Sequence, residues 1–370
     1  KIPNWKTIAM ESCGVLCLAG SCFAFLRHRS QPRSIETLPT KMRRLVLREA
    51  NVDISKAKLE VEEVDVPQPK PGQVLIKVAA SPVNPSDDGT WKTTPSQGYP
   101  MPLGNEGSGT VVATGGGSIA AGWLGRHVAF FGKAYAQYAI ADAVMLTEVP
   151  MDVPVEDACA AYINPLTVIS IVEAVRARKG SVFIHTAAAS QLGQMLVRYC
   201  QQEGMILVNV VRRKEQVQLL ERLGAQHIVD TSDASWESKL QTLIQQLKIY
   251  HAFDCISGEV PGKLMSLLPP GGTVWVYGRL AGKLEQIDPI DFIYRNKKLE
   301  GFLLTTWLFG NNWIQGLLRW RRQTGLMKSN LKTIFATEFQ DTTLPEMLMV
   351  YCAHKASGAT GAKIRVRPQL

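Results

Sequence analysis

The chain has 370 residues, more than one typical domain and enough for two, each with its own core. Hydrophobic residues make up 46% and charged residues 20%, with no low-complexity tract and no internal repeat, which excludes a disordered or fibrous chain. The net charge of +9 does not point to nucleic acid: residues 1–50 hold nine Lys/Arg against Glu11, Glu36 and Glu49, and the rest shows no basic stripe interleaved with aromatics.

Within the basic leader lies an uncharged run at 12–26 (SCGVLCLAGSCFAFL), closed by Arg27, His28 and Arg29. As a helix it spans about 22 Å, short of the roughly 30 Å hydrocarbon core, and extension back to Trp5 takes in Lys6 and Glu11. A marginal membrane span, a targeting remnant and a helix docked on a partner all satisfy the pattern. Cys13, Cys17 and Ser21, four residues apart, permit close helix packing, and the expectation is a retained helix held in place by a partner. Residues 27–41 read as a polar linker, so 1–41 is expected to be an N-terminal extension.

From Met42 to about residue 150, apolar and polar residues alternate between Pro and Gly punctuation, as in short strands joined by tight turns. From Lys179 the period changes to buried strand, helix, strand, helix: GSVFIHTAAAS, QLGQMLVRYCQQEG, MILVNVVRRK and EQVQLLERLGA form a βαβα unit. HIVD, HAFDCIS, GGTVWVYG and LEGFLL bring the count to six strands with intervening helices, the content of a doubly wound sheet.

The phosphate turn between the first strand and helix reads Ala188-Ala189-Ser190-Gln191-Leu192-Gly193, keeping only the last glycine of G-x-G-x-x-G. Its small residues and the helix start still suit pyrophosphate, with Ala188, Ser190 and Gly193 as candidate contacts. Where an NAD site carries Asp or Glu at the end of the second strand, this chain has Arg212, Arg213 and Lys214, 19 to 21 residues beyond Gly193. A guanidinium grips a 2′-phosphate and a carboxylate repels it, so the expected cofactor is NADPH, with Arg212 and Arg213 as its readers.

SPVNPSD at 81–87, GNEGSGTVV at 104–112, GRHVAF at 125–130 and NPLT at 164–167 occur in an order and spacing that resemble the medium-chain dehydrogenase/reductase superfamily. The resemblance is nearest to the zinc-free quinone oxidoreductase and mitochondrial 2-enoyl thioester reductase branch, and it covers the chain from Met42 to Pro368. It implies an α/β fold in which a Rossmann doubly wound parallel sheet (166–329) is inserted in a GroES-like β-rich catalytic domain (42–165 and 330–370). It also places Thr167, Tyr277, Gly278, Phe302, Trp307 and Lys363 on the nicotinamide or ribose side of the cofactor. Zinc-dependent relatives carry Cys and His where this chain has Asn84 and Asn105, and no Cys lies between Cys22 and Cys159, so no metal is expected.

In the resembling enzymes NADPH delivers hydride to an enoyl thioester, enone or quinone, and hydrogen bonds steady the developing oxyanion. Asn84 is the orienting residue on offer. Ungapped alignment puts Pro95 where the thioester reductases have a tyrosine proton donor, and Tyr99, four residues on, is the substitute candidate. The acceptor, a small apolar molecule, would lie among loops at 88–103 and 305–325, the second carrying Trp307, Trp313 and Trp320. That second stretch reads equally as an apolar substrate wall or a contact surface. His127, His185 and His227 fall in strands and read as structural, and Cys159, Cys200, Cys255 and Cys352 as reduced core residues. The alternative to an active reductase is a non-catalytic NADPH-binding accessory subunit of a mitochondrial, inner-membrane (respiratory) complex attached through residues 1–41. A homodimer paired through the edge strands near VWVYG and GFLL is a further expectation.

Overall fold

A computed structural model describes residues 31–310, 312–358 and 362–370. The uncharged run at 12–26, with Cys13, Cys17, Ser21 and Cys22, lies outside the described residues, as does the membrane or docking role expected of it.

Residues 27–41, expected as a polar linker, contribute a short strand, β1 (Arg33–Ser34). Beyond it the chain folds as the alternation predicts, into β2 (Lys41–Glu49), β3 (Lys58–Asp65), β4 (Gln73–Pro82), β5 (Met101–Pro102), β6 (Glu106–Thr114), β7 (His127–Phe131), β8 (Tyr138–Asp142) and β9 (Thr147–Glu148), with the helices α1 (Pro85–Trp91) and α2 (Ser118–Ala121) between them, and β1 pairs with β6. A long helix, α3 (Ile163–Ala177), leads into β10 (Val182–Thr186), α4 (Gln191–Glu203), β11 (Ile206–Val211), α5 (Lys214–Arg222), β12 (His227–Asp230), α6 (Trp236–Leu247), β13 (His251–Asp254), α7 (Val260–Leu267), β14 (Thr273–Val276), α8 (Pro289–Ile293) and β15 (Lys298–Gly301). The chain closes with α9 (Leu304–Phe309), α10 (Trp313–Ser329), β16 (Phe339–Thr342), α11 (Met347–Ser357) and β17 (Lys363–Val366).

The β-rich part builds a sheet in the order β16-β17-β4-β6-β7-β9, to which β1 and β8 add, and a small sheet β3-β2-β5. Its central strands β4 and β6 are buried almost throughout, as their near-continuous apolar and small residues require. The last strand returns to this sheet: β17 runs antiparallel to β4, with Arg365 opposite Pro82 and Val366 opposite Ser81. The second sheet has the order β12-β11-β10-β13-β14-β15 with every neighbouring pair parallel. Strand order reverses between β10 and β13, the point at which doubly wound sheets open a ligand crevice.

Helix α3 joins the two sheets. The stretch Asp157–Ala177 is long and apolar enough to cross a membrane, yet 89% of that window is buried within the protein. So apolar a helix needs cover on most of its surface, and α10 supplies part of it. Trp320 of α10 is buried and donates its indole N–H to Tyr162 Oη at 2.8 Å, Gln323 Nε2 donates to Ser170 Oγ at 3.0 Å, and Arg322 pairs with Glu173 at 2.7 Å.

Two expectations change here. The stretch 305–325 is not a loop: α9 and α10 occupy it, with Trp307 on α9 and Trp313 and Trp320 on α10. Trp320 is core, Trp307 is half-buried with the Arg319 guanidinium 5.3 Å from its ring centroid, and Trp313 is 41% exposed at the helix start. Cys159, Cys200 and Cys255 are buried free thiols as expected, but Cys352 is only half-buried because it lies on the outer helix α11.

This division predicts that Trp320→Ala costs about 3–5 kcal/mol of stability through the cavity it leaves, whereas Trp313→Ala stays within about 0.5 kcal/mol of the parent. Urea unfolding of the two variants checks both values.

Candidate functional site

In the β-rich part, four polar side chains meet where the surroundings are apolar. Asn84, Asp87, Glu106 and Lys363 are all buried, with Glu106 0% exposed. Asn84 ends β4's continuation as the N-cap of α1, and its backbone N–H donates to Asp87 Oδ2 at 2.8 Å. Its side chain is used at both ends: Nδ2 donates to Glu106 Oε1 at 2.8 Å, and Oδ1 accepts from Lys363 Nζ at 2.5 Å. The other Glu106 oxygen accepts the backbone N–H groups of Tyr162 and Ile163 at 3.1 and 2.8 Å, capping the start of α3. A carboxylate at a helix N-terminus satisfies orphan amides and complements the helix dipole. Asn105 donates to the second Asp87 oxygen at 2.8 Å.

The second constellation lies at the carboxyl ends of the parallel strands. Thr186, closing β10, donates its hydroxyl to Asp254 Oδ1 of β13 at 2.7 Å, and Asp254 Oδ2 accepts the Ser257 amide at 2.7 Å, so the two strands flanking the reversal are tied together. Next comes Ala187 at φ +50, a left-handed conformation that side chains disfavour. Ser190 is the N-cap of α4 and accepts the Gly193 amide at 3.2 Å. A Cβ on Gly193 would stand 2.2 Å from the Ala188 carbonyl oxygen, so helix and turn approach too closely for any other residue. Gly278 is held likewise, its missing Cβ 2.7 Å from the Cys255 carbonyl. At the end of β11, Arg212 is exposed and Arg213 half-buried.

The other expected contacts are drawn into the body of the protein. Thr167 donates its hydroxyl to the Ile163 carbonyl within α3, at 2.7 Å. Tyr277 Oη is hydrogen-bonded to His185 Nε2 at 2.6 Å, and burial holds the His185 pKa down to about 3, so the imidazole is neutral. Phe302 is buried edge-on against Phe253 at 5.3 Å and Trp307 packs against it at 5.8 Å. Lys363 is on Asn84 rather than at an open surface. Tyr99, 38% exposed, accepts the Ala50 amide at 2.9 Å beside the small sheet, and no hydrogen bond joins it to the Asn84 cluster among the described residues. The structure therefore places Ala188, Ser190, Gly193, Arg212 and Gly278 just past the carboxyl ends of the parallel strands β10, β11 and β14, and Asn84 and Lys363 in one buried cluster, and leaves Tyr99 apart from both.

Asp87 and Glu106 lie within SPVNPSD and GNEG, and their joint burial is not apparent from sequence. The available signal was a carboxylate opening an otherwise apolar and small-residue strand, GSGTVV, which demands a buried partner.

Among the described residues, no group of three or more His, Cys, Asp or Glu is arranged to hold a metal ion. The buried cluster instead holds two carboxylates against one ammonium. Burial pushes Glu106 up and Lys363 down, with Lys363 and three donors opposing the rise on Glu106. Burial also pushes Asp87 from 3.8 up to about 7, so that it holds a proton in mild acid. The folded state thus binds this proton more tightly than the unfolded chain. The stability it confers is complete below pH 3.8 and is lost as the pH rises through about 7. Denaturant unfolding between pH 5 and 8 should therefore show the parent losing stability relative to Asp87→Asn as pH rises. A difference that stays flat with pH would mean that Asp87 titrates as an ordinary carboxylate.

Comparison with known proteins fits this geometry. Residues 70–151 match the alcohol dehydrogenase GroES-like domain, and residues 192–321 match a family described as zinc-binding dehydrogenase. The mitochondrial enoyl-[acyl-carrier-protein] reductase of Xenopus tropicalis is 29% identical over 262 residues, 67% of this chain and 74% of that protein. The mouse protein of the same name is 27% identical over 306 residues, 78% and 80% of the two chains. Among solved structures, a putative NADPH:quinone reductase from Mesorhizobium loti superposes with a TM-score of 0.79 at 27% identity, covering 90% of this chain and 100% of that one. Escherichia coli quinone oxidoreductase complexed with NADPH shares the fold, with a TM-score of 0.74 at 15% identity over 88% of this chain and 100% of that one. With its inserted doubly wound sheet and its GroES-like β-rich part, the chain belongs to the medium-chain dehydrogenase/reductase superfamily, in the branch of quinone and enoyl reductases.

Proposed function

We propose that the protein is an NADPH-dependent oxidoreductase that reduces an enoyl thioester, an enone or a quinone, and that it works in the mitochondrion. One observation carries the cofactor assignment: Arg212 is exposed at the end of β11, at the rim of the crevice opened by Ser190 and Gly193, where an NAD site needs a carboxylate. The residues present fit the dinucleotide. Helix α4 is 13 residues long with its N-terminus at the turn, and Gly193 lets the backbone come close. The mitochondrial assignment rests on the names of the enoyl reductases that the chain resembles.

Bound NADPH supplies the hydride. The chain's own residues would position it: the amides at the start of α4 would hold the pyrophosphate and Arg212 the 2′-phosphate, while the Thr186–Asp254 bond ties together the two strands beneath them. On the acceptor side Asn84 is held rigidly by Glu106 and Lys363, so it acts chiefly by fixing the start of α1. The edge strand β15, flanked by exposed Ile293, Tyr294 and Leu303, is the surface on which a second copy would pair.

A second reading is favoured by a specific observation. Tyr99 lies against the small sheet, where its hydroxyl accepts the Ala50 amide, and both ends of the Asn84 amide are already occupied, so among the described residues neither candidate is placed as a proton donor beside the crevice. In that reading the protein binds NADPH with little or no turnover.

Titration of the purified chain with NADPH and NADH, followed by assays with an enoyl thioester and a quinone, separates the two. Arg212→Ala is expected to weaken NADPH binding about 10- to 100-fold, the worth of charge-assisted hydrogen bonds, and to leave NADH unchanged. An unaltered preference would refute the cofactor assignment, and tight NADPH binding without oxidation by either acceptor would favour the second reading.

A further inference from the structure

Arg212 and Arg213 are neighbours in sequence with opposite surroundings. The Arg212 side chain is exposed and makes no hydrogen bond or ion pair among the described residues. Arg213 is half-buried, and its Nη2 donates to the Gly358 carbonyl at 2.5 Å, across 145 residues of sequence. Gly358 ends α11 in the left-handed conformation, φ 63. A Cβ at Gly358 would stand 2.6 Å from Arg213 Nη1, so the guanidinium lies directly against the glycine and would have to shift to admit a side chain, which the positive φ disfavours in any case.

The electrostatics explain the direction that Arg213 takes. It is the N-cap residue of α5, where the helix dipole disfavours a cation. Its side chain leaves that end for the C-terminus of α11, where the last carbonyls carry partial negative charge and welcome one. Helix α11 is itself fastened to the β-rich part: Tyr351 packs edge-on against Trp91 of α1 at 5.3 Å, and Lys355 pairs with Asp88. Arg213 thus connects the end of β11, at the cofactor rim, to the helix that precedes β17.

We propose that the two arginines have separate roles. Arg212 reads the 2′-phosphate, and Arg213 is a positioning residue, a strut that holds the Rossmann sheet and the C-terminal helix at the separation the crevice requires. The inference rests on the NADPH reading for Arg212 but not for the strut. Loss of the strut lowers the affinity for NADPH and NADH alike, because both depend on the crevice, whereas loss of Arg212 lowers NADPH affinity alone.

The test uses the full chain carrying Arg212→Ala, Arg213→Ala, Arg213→Lys, Gly358→Ala, or Arg213→Ala with Gly358→Ala. Hydrogen exchange of residues 347–357 is followed without cofactor, and NADPH and NADH are titrated without acceptor. Arg213→Ala should accelerate exchange in the last turn of α11 and weaken both cofactors by the same factor, about tenfold for one hydrogen bond to a charged group. Arg213→Lys should restore most of the protection, since one donor suffices for one carbonyl. Gly358→Ala should reproduce Arg213→Ala, and the double variant should be no worse than either, as partners in one contact require. Parent-like exchange in Arg213→Ala overturns the strut, whatever the cofactors do. A loss in that variant confined to NADPH also overturns it, and makes Arg213 a phosphate ligand. A parent chain that binds neither cofactor refutes the NADPH reading while the exchange data still decide the strut.

Discussion

A buried carboxylate has to be matched by donors, and much of this structure follows from how Glu106 is matched. Its two oxygens accept from Asn84 and from the first amides of α3, and Asn84 in turn accepts from Lys363 on the last strand. Removing any one of these partners would leave a buried charge or a buried polar group exposed to an apolar interior, at a cost of several kcal/mol. The start of α1, the start of α3 and the register of β17 are therefore mutually determined. One side chain connects the β-rich part, the helix leading into the Rossmann sheet, and the returning C-terminus.

The crevice is organised on different terms. There, close approach matters more than charge: Gly193 and Gly278 sit where a Cβ would collide with neighbouring backbone, and Ala187 accepts a left-handed conformation beside them. The Thr186–Asp254–Ser257 bonds span the strand reversal and set the width between the two halves of the sheet. The backbone amides at the start of α4 and the exposed Arg212 lie at the same carboxyl edge of the sheet, which is the basis of the phosphate contacts proposed above.

What the interior lacks in reactive groups is equally informative. Burial pushes the Cys255 thiol up to about 12 and raises Cys159 and Cys200 as well, so none of these supplies a nucleophile. His185 is neutral and bonded to Tyr277, and both serve the sheet. The chemistry that suits this molecule is one in which a cofactor brings the reactive bond and the protein supplies position and electrostatics.

Periodicity and punctuation determined the six parallel strands, the β-rich part before them and the unusual phosphate turn, because strand alternation, helical period and the close-contact glycine are properties of neighbouring residues. The place of Arg212 just past β11 was legible on the same ground, as a spacing from Gly193; its contact with a phosphate is proposed. The helices α9 and α10 were not, since a stretch mixing Trp, Arg and Gly carries weak local preference and folds by packing onto α3. Nor were the roles of Asp87, Glu106 and Lys363, or the separation of Arg213 from Arg212. Those depend on which residues, up to 279 positions apart, come to share one desolvated space. Local sequence decided which elements form and where the small-residue turn ahead of α4 falls. Tertiary structure decided which polar groups lose water together, and so which side chains are bound to one another and which remain open to a ligand.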